Sequence, residues 1–468
     1  MSIVFNPEKQ YRCTIIRGKA QNEIDDLLPA YAKVITDICP CEKSIFIELF
    51  DKAIVKYLYS PTQKTIANHR TEIAGKLFGM WWEDENGVVY ASERTVRLME
   101  SQDNPEFFKD VITKMQFPNG MDKIQTTLDR IKHSINIRPV SYILKVLLLS
   151  EEQGFALTKD EIAYYILNSL EVLQGKVSPE LAVSKIIDRR KRKIFKRVEY
   201  PGKQGSYCMQ HITELLNIIE LANLIRHERT KKAIIVRLNR RELSVISYFA
   251  ESAMDVPDFN VYSYNLDDSE QRKKLSYDWI KYYASSDDKA SMFATSVESL
   301  TKAEEKEEPW HIPGPLGIDT TVIGEEGERI VFEREKGRVR LFNERLVNKV
   351  IYFGKQRGLG YDISSIRAVL GPSAEHAIYI EVKSTKRVTR PSNPLKDQFD
   401  LTRNEWVAAE QHKDNYFVYR VYITNDGIFV FIMNDPVALR DTGVIYAEPL
   451  KYHVEFDEKA GRLQEWKN

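Results

Sequence analysis

The sequence predicts a multidomain α+β protein, with a mainly helical N-terminal region of winged-helix-like units and an α/β module at the C-terminal end. Three observations lead to this prediction. Marked helix starts and short hairpins dominate the chain as far as residue 240. A segment rich in charge, proline and glycine follows at residues 286–317, which is typical of a linker. Beyond it, apolar and polar residues alternate as they do in a β-strand.

The composition is that of a globular protein with room for several domains. The 468 residues are 43% hydrophobic and 29% charged. Equal numbers of basic and acidic residues, 68 of each, give zero formal net charge. A protein that coats nucleic acid is usually basic overall, so this class is disfavoured. Neutrality is still compatible with DNA binding, because a local basic patch can supply the phosphate contacts.

The cysteine content and the hydropathy favour a cytoplasmic protein. Four cysteines are too few for a disulfide framework: Cys13, Cys39, Cys41 and Cys208. No second Cys/His pair accompanies Cys39-Pro40-Cys41 at zinc-finger spacing, so buried reduced thiols are favoured over a metal site. No apolar run is long enough for a bilayer, and Met1 to Arg12 lack the apolar core of a signal peptide.

Local signals in the N-terminal region indicate helix-turn-helix units. Thr158-Lys159-Asp160-Glu161 is a capping box that opens an apolar helix, and the strongly apolar stretch Tyr142 to Leu149 precedes it. Helix, short turn and capped helix form the core of helix-turn-helix and winged-helix units. Upstream, Thr65 to Phe78 predicts another helix, and residues 80–90 predict a small hairpin that would serve as a wing.

A basic cluster follows the helix start at Ser178-Pro179. Residues 185–197 contain eight cations and one acid, Asp188. Clustered cations are what phosphate contacts require, whereas the alternative is a solvated helix face. We favour DNA contact because such a concentration is unusual in a neutral protein. The candidates for DNA binding are Arg189, Arg190, Lys191, Arg192 and Lys193.

The spacing of acidic residues in the C-terminal region predicts a metal-dependent active site. A helix is expected from Gly324 to about Arg357, followed by strands that begin at Tyr361 and Ala377. In the second strand Glu381 and Lys383 share one face, and a hairpin would bring Asp362 close to Glu381. Two converging carboxylates repel unless a cation lies between them, and such hard ligands suit Mg²⁺.

A bound Mg²⁺ would activate a water and neutralise charge on a phosphodiester in the transition state. Lys383 would orient or deprotonate that water, or stabilise the charged transition state. The alternative that the same residues leave open is a surface salt bridge between Glu381 and Lys383.

A wider set of motifs extends this pattern. Its members are Gly327-Glu328, Gly360-Tyr361-Asp362-Ile363-x-Ser365, Tyr379 to Ser384, Leu401 to Ala409, and Tyr416 to Val421. Together, over roughly residues 318–435, they resemble the PD-(D/E)xK nuclease module of plant NO VEIN-like proteins and many bacterial restriction endonucleases. The resemblance implies a mixed sheet of four or five strands flanked by helices. It also implies a catalytic core of Asp362, Glu381 and Lys383, with Glu328 completing the metal site.

A basic loop follows the candidate catalytic strand. Residues 383–396 contain five cations and no acid, and a basic loop beside a metal would hold the DNA backbone. Lys386, Arg387 and Arg390 are therefore further candidates for DNA binding.

The middle of the chain has a second resemblance. Asn104 to Phe108, Met115 to Gly120 and Leu147 to Glu161 resemble the helical recognition region of AlwI-like type IIS restriction enzymes, which read an asymmetric sequence and cut to one side. The expected organisation is a DNA-recognition region at residues 1–240, a helical extension at 241–285, a linker at 286–317 and a nuclease domain at 318–468.

These expectations combine into a sequence-specific type II restriction endonuclease that hydrolyses double-stranded DNA with Mg²⁺. Type IIS cleavage is the finer form of this hypothesis. One active site per chain implies a homodimer during double-strand cleavage, and a cognate methyltransferase is a candidate partner in restriction-modification. The alternatives are a modification-dependent or phage-defence nuclease, a DNA-binding protein with an inactive nuclease fold, and a protein-interaction module without a DNA role.

Overall fold

A computed structural model describes nine stretches of the chain, which form two compact units. The described residues are 2–16, 18–59, 61–194, 197–199, 205–286, 290–301, 323–354, 358–392 and 396–448. The first unit comprises Met1–Gly327, Lys383–Phe399 and Arg420–Val430, and the second comprises Glu328–Val382, Asp400–Tyr419 and Phe431–Asn468. Among the described residues, no helix combines the length and apolar character needed to cross a lipid bilayer.

The first unit is mainly α-helical, as the sequence predicts. Its helices are α1 (Gln21–Ile38), α2 (Lys43–Ile54), α3 (Gln63–Asn68), α4 (Glu93–Ser101), α5 (Asn104–Thr113), α6 (Ile124–Lys132), α7 (Pro139–Glu152), α8 (Lys159–Ile162), α9 (Leu170–Leu173), α10 (Pro179–Lys191), α11 (Gly205–Leu221), α12 (Leu243–Glu251), α13 (Ser269–Ala284) and α14 (Val297–Leu300). Its strands, outside the C-terminal sheet, are β1 (Ser2–Val4), β2 (Cys41–Glu42), β3 (Trp81–Glu83), β4 (Val88–Ala91), β5 (Leu157–Thr158), β6 (Arg197–Glu199), β7 (Ile225–Arg229) and β8 (Ile234–Leu238).

The first small sheet consists of β2, β3 and β4, and three helices precede its hairpin. Along the chain, α1, β2, α2 and α3 precede the hairpin β3–β4, and α3 continues as a π-helix over His69–Leu77. The sheet order is β2-β4-β3, so the first strand pairs with the third. Thr62 begins α3, because its hydroxyl accepts a hydrogen bond from the Thr65 N–H. The hairpin that the sequence predicts at residues 80–90 is confirmed.

The second small sheet repeats this order of elements. α7, β5 and α8 precede the helix α11 and the hairpin β7–β8, and the sheet order is β5-β8-β7. The predicted capping box is present: Thr158 accepts from the Glu161 N–H, and Glu161 accepts from the Thr158 N–H. The helices α9 and α10 are inserted between α8 and α11, and α10 carries four of the eight cations of the basic cluster.

The predicted boundaries of the helical extension and the linker need correction. Residues 241–285 belong to the same compact unit as the preceding region. Residues 290–301 are folded rather than a linker, because Phe293 and Leu300 are fully buried and Phe293 stacks on Phe249 at 5.7 Å. Aromatic and aliphatic side chains buried to this degree make a segment part of the core. Residues 287–289 and 302–317 of the predicted linker lie outside the described residues.

The C-terminal elements form a five-stranded sheet with flanking helices, which confirms the predicted mixed sheet. They are α15 (Ile323–Phe342), β9 (Ile351–Tyr352), β10 (Ile363–Ile366), β11 (Ala377–Lys386), α16 (Arg403–His412), β12 (Tyr416–Thr424), β13 (Gly427–Asn434) and α17 (Pro436–Asp441). The strand order is β13-β12-β11-β10-β9. The strands β11 and β12 each contribute residues to both compact units.

The predicted helix from Gly324 to about Arg357 is too long. α15 ends at Phe342, because Asn343 has an extended backbone and caps a new short 3-10 helix at Glu344–Lys349. Its side chain accepts a hydrogen bond from the Arg345 N–H at 3.1 Å. Asparagine commonly competes with the helical backbone in this way.

Candidate active site

The strands β10 and β11 bring two of the predicted carboxylates together within the second unit. The strands are antiparallel, with Ile363 opposite Ile380, and Asp362 and Glu381 are the residues next to this pair. The Asp362 N–H donates to the Ile380 carbonyl at 3.0 Å. The Asp362 Oδ2 atom accepts a hydrogen bond from the Val382 N–H at 2.8 Å. Side chains at neighbouring positions of paired strands lie close together.

The turn that leads into Asp362 requires glycine. Gly360 has a φ of +78°, and a Cβ atom there would collide with the backbone of Asn404 in α16. The Gly360 carbonyl accepts a hydrogen bond from the Tyr416 hydroxyl at 2.8 Å. The backbone before Asp362 is thereby held by α16 and by the first residue of β12.

Both carboxylates also influence the pKa of Tyr416. Its pKa is raised well above the usual value of a tyrosine, first by burial and then by the negative charges of Glu381, Glu405 and Asp362. Sequence reasoning included Tyr416 in a motif without assigning it a role. Its hydroxyl stays protonated at neutral pH and acts as a hydrogen-bond donor.

Glu381 and Lys383 occupy the same face of β11. The strand alternates as expected, with Ile378, Ile380 and Val382 buried on one face. Glu381 on the other face is nevertheless only 4% exposed, and Lys383 follows two residues later with partial exposure. A buried carboxylate is costly unless cations or hydrogen-bond donors compensate its charge, so this position is unusual for a plain surface salt bridge.

The structure does not gather Glu328 with the other two carboxylates. Glu328 accepts a hydrogen bond from the Tyr352 hydroxyl at 2.7 Å, and Tyr352 pairs with Ile363, next to Asp362 but on the other face. Within the described part of the chain, no three Asp, Glu, His or Cys side chains form a group that can hold a metal ion. Ligation by Glu328 therefore stays a prediction.

Two carboxylates are a fitting donor set for Mg²⁺. This ion commonly binds through one or two protein carboxylates and keeps several of its waters. Asp362 and Glu381 supply such hard oxygen donors, and Lys383 supplies a cation on the same strand face as Glu381.

Sequence reasoning missed a buried glutamate on α15. Glu335 is 3% exposed; it pairs with Arg338 at 2.6 Å and accepts from the Ser365 hydroxyl at 2.7 Å. Ser365 lies in β10 on the face away from Asp362. These contacts fasten α15 to the sheet, so we assign Glu335 a structural role. The spacing of Glu335 and Arg338, three residues apart on a helix, was the available signal.

One member of the predicted basic cluster, Arg190, makes several contacts within the fold. Arg190 donates to both carboxylate oxygens of Glu161 at 2.7 and 2.6 Å and to the Ala156 carbonyl at 2.8 Å. Its guanidinium also lies over the Phe155 ring, 4.6 Å from the centroid. Arg190 therefore joins α10 to α8, and its contact with DNA stays a prediction.

The other members of the cluster remain at the surface. Lys191, Arg192 and Lys193 are exposed, and Arg189 is half-buried. Arg192 pairs with Asp188 at 3.0 Å, which leaves the end of α10 cationic. Lys196 lies outside the described residues.

Lys386 and Arg387, which the sequence predicts to hold DNA, are both buried. Lys386 is 2% exposed and pairs with Glu326 at 2.8 Å, and Arg387 is 5% exposed and pairs with Asp26 at 2.6 Å. Both cations are paired with carboxylates of the first unit, and their contact with DNA stays a prediction. Arg390 differs: its side chain is exposed, and it pairs with Asp426 at 3.1 Å.

The N-terminal part of the chain matches a known family. The model described as restriction endonuclease BpuJI, N-terminal, matches residues 5–280. The chain belongs to the BpuJI N-terminal domain family of restriction endonucleases. A solved structure titled "Crystal structure of pyrene- and phenanthrene-modified DNA in complex with the BpuJ1 endonuclease binding domain" is 49% identical in sequence. The match covers 60% of this chain and 99% of that chain, with a TM-score of 0.57.

The C-terminal part matches a second family. The model described as Protein NO VEIN, C-terminal, matches residues 327–433, which confirms the resemblance to NO VEIN-like proteins, while the PD-(D/E)xK assignment stays a prediction. The comparison with curated proteins gives no match. The BpuJI-like region covers the segments that resemble AlwI-like enzymes, so the restriction-endonuclease assignment of this region is confirmed and the AlwI-like one stays a prediction.

Proposed function

We propose that this protein is a sequence-specific restriction endonuclease that binds double-stranded DNA and hydrolyses its phosphodiester bonds with Mg²⁺. The observation that carries the proposal is the similarity to the BpuJ1 endonuclease binding domain, which was solved in complex with modified DNA. This chain is 49% identical to that domain and covers 99% of the domain's length. At this level of identity the domain fold and the general mode of ligand binding are usually retained. The BpuJI-like region would therefore find the site.

We infer that the NO VEIN-like region is a PD-(D/E)xK nuclease module. The inference is supported by Asp362 and Glu381, which adjoin the paired residues Ile363 and Ile380 of β10 and β11, and by Lys383 on the same strand face as Glu381. A bound Mg²⁺ would supply the charge that activates a water and stabilises the transition state. Asp362 and Glu381 would hold the ion, and Lys383 would orient the attacking water or neutralise the phosphate oxygens.

We infer further that the two small sheets of the first unit belong to winged-helix units. Each follows the order of a helix, a strand, further helices and a two-stranded hairpin, and in each sheet the first strand pairs with the third. In helix-turn-helix proteins the second helix of the pair enters the major groove. In the first such unit this helix is α3, whose exposed polar residues Gln63, Lys64 and Asn68 can donate to base edges.

Cleavage of supercoiled plasmid with and without Mg²⁺ tests the proposal. We expect Mg²⁺-dependent nicking and linearisation, with none in EDTA. Asp362→Asn and Glu381→Gln should each lower the cleavage rate about a hundredfold or more, while the affinity for DNA, measured by gel shift in Ca²⁺, stays within about twofold. Glu344→Gln, an exposed carboxylate on a 3-10 helix, is the matched control and should cleave as the wild type does. Cleavage in EDTA, or full activity of both variants, would overturn the nuclease assignment.

The finer alternatives are separated by the same assay. Cleavage of unmethylated but not methylated plasmid fits a restriction-modification enzyme, and the reverse pattern fits a modification-dependent nuclease. Sequencing the ends tests type IIS cleavage, which requires cuts at a constant distance to one side of a common sequence. Salt-sensitive DNA binding without cleavage would instead favour an inactive nuclease fold.

A further inference from the structure

The residues at the end of β11 and just after it are buried within the first unit. We call residues 385–389 the anchor segment; it includes the last two residues of β11. The Lys386 N–H donates to the Gln102 carbonyl at 2.9 Å, and the Arg387 N–H donates to the Ile423 carbonyl at 3.0 Å. The backbone of the segment is therefore held on two sides, both within the first unit.

The Lys386 side chain ends in a buried polar cluster at the start of α5. Its ammonium pairs with Glu326 at 2.8 Å and donates to the Thr295 carbonyl. Asp103 lies beside it as the N-cap of α5, where it accepts from the Glu106 N–H at 3.0 Å and the Thr295 N–H at 2.8 Å. Asp103 is fully buried, and this burial raises the pKa of its carboxyl, while the nearby Lys386 charge is the largest of the influences that lower it.

The far end of the anchor segment is held by α1. The Thr389 N–H and hydroxyl both donate to the Asp25 Oδ2 atom, at 2.9 and 2.8 Å. Asp25 is 1% exposed, and its Oδ1 atom accepts from the Asn104 side chain at 3.1 Å. Arg387 pairs with the neighbouring Asp26 at 2.6 Å. Three aspartates of the BpuJI-like region thus lie against three residues of the anchor segment, Lys386, Arg387 and Thr389.

We propose that Asp103 and Asp25, through Lys386 and Thr389, are positioning residues for the candidate catalytic lysine, Lys383. The proposal rests on the proposed nuclease function. Lys383 precedes Lys386 by three residues on the same strand, which is about 10 Å of extended chain. Contacts at the end of β11 leave the strand little freedom to shift in register. The backbone of Lys383 is therefore fixed by contacts to helices of the BpuJI-like region.

This arrangement explains why cations predicted to face DNA are buried. A buried ion pair is weak evidence for stability, because desolvation offsets most of the Coulombic gain, but it demands one geometry. A set of paired charges and bifurcated hydrogen bonds specifies where the segment lies more sharply than apolar packing would. Placement of a catalytic amine to within a fraction of an ångström requires such support.

The test compares Lys386→Met and Thr389→Val with Arg130→Met. Arg130 is a buried cation of the first unit that pairs with Asp122 at 2.5 Å, and it has no described contact with the anchor segment. Two measurements are made on each full-length variant. One is amide hydrogen exchange of residues 383–385 without DNA, and the other is the plasmid cleavage rate at saturating and limiting DNA with Mg²⁺.

We expect Lys386→Met and Thr389→Val to speed exchange of residues 383–385 by about tenfold. The maximal cleavage rate should fall by about tenfold while the KM for plasmid stays within about twofold. Thr389→Val keeps the backbone hydrogen bond to Asp25 and is the milder variant, so it remains informative if Lys386→Met fails to fold. Arg130→Met should lower the Tm without changing either the exchange of these amides or the maximal rate.

The two readouts separate this proposal from the proposed function. If the wild type cuts no DNA, the nuclease assignment fails, whereas the exchange rates still decide whether the anchor segment fixes Lys383. If exchange at residues 383–385 is unchanged in both anchor variants, the positioning proposal is overturned. An equal effect of Arg130→Met on exchange and rate would likewise assign the contacts to general stability.

Discussion

The carboxyl group of Glu106 gives the protein a pH dependence of stability. Burial, and next the charge of Asp103, raise the pKa of Glu106 to about 7 from a usual value of 4.5. A carboxyl with a raised pKa keeps its proton in the folded state where the unfolded chain has lost it. Its contribution to stability is therefore fully present below about pH 4.5 and is lost as the pH rises through about 7.

Glu106→Gln tests this sign. The amide is neutral at every pH, so we expect the variant to melt about 2 °C or more above the wild type at pH 8 and at nearly the same temperature at pH 5. The exposed Glu100 on α4 is the matched control, and Glu100→Gln should leave both melting temperatures unchanged. A higher Tm at pH 5 with no gain at pH 8 would contradict the raised pKa.

Two neighbouring cations of α10 should have opposite effects. Arg190 joins α10 to Glu161 and Ala156, so Arg190→Ala should lower the free energy of unfolding by about 1–2 kcal/mol. The exposed Lys191 should instead contribute to DNA binding, and Lys191→Ala should weaken binding without changing the Tm. Thermal melts and gel shifts at two salt concentrations measure both effects. Equal loss of binding in the two variants, with no change in Tm, would restore the first interpretation of Arg190.

The sequence predicts side chains on a regular strand better than the partners of a basic loop. Strict alternation along β11 assigns Glu381 and Lys383 to one face, and the short connection from β10 makes an antiparallel pair the simplest topology. The cations after β11 have no such constraint. A basic run looks the same whether it meets phosphates or buried carboxylates, and the carboxylate that holds Thr389 lies 364 residues away in the sequence.

At the scale of elements, local chemistry predicted the starts of helices well and their ends less well. The predicted capping box at Thr158 is present, because it needs only residues three positions apart. The end of α15 was missed, since periodicity continues past Asn343 although its side chain begins a new turn. The folded stretch at residues 290–301 was missed because charge and proline nearby outweighed a few large apolar residues.

Phe293 tests whether that stretch is part of the core. Its ring is fully buried against Phe249 and Tyr248. Phe293→Ala should therefore lower the free energy of unfolding by about 3–5 kcal/mol. Met254, an exposed apolar residue of the same unit, gives the control Met254→Ala, which should cost little. Denaturant unfolding followed by far-UV circular dichroism measures the difference, and a small effect at Phe293 would make residues 290–301 a linker after all.

At the scale of the whole molecule, family boundaries and compact units do not coincide. The NO VEIN-like match spans residues 327–433, yet residues 383–399 and 420–430 group with the first unit. The spacing of motifs identifies a domain by the residues within that domain. The same spacing carries no information on which segments of the domain become buried against residues from elsewhere in the chain. The order of the domains was therefore predictable, whereas the anchor segment was not.

Double-strand cleavage should depend on a second copy of the chain. The described residues contain one pair of carboxylates of the proposed kind, Asp362 and Glu381, and one hydrolytic site cuts one strand at a time. We expect nicked plasmid to accumulate at low protein concentration, and the rate of conversion to linear DNA to rise more steeply than in proportion to the protein.

Mixing wild type with an excess of Asp362→Asn distinguishes pairing from sequential cutting by a monomer. If two copies act together, most of the pairs that contain a wild-type chain hold only one active site, so nicked plasmid should accumulate while linear product falls. If one chain cuts both strands in turn, the inactive chain only competes for the site, and nicking and linearisation should slow by the same factor. Cleavage of both strands at a rate strictly proportional to protein concentration, with parallel inhibition by Asp362→Asn, would exclude a homodimer in the cutting step, because every double-strand break would then come from a single pair of carboxylates.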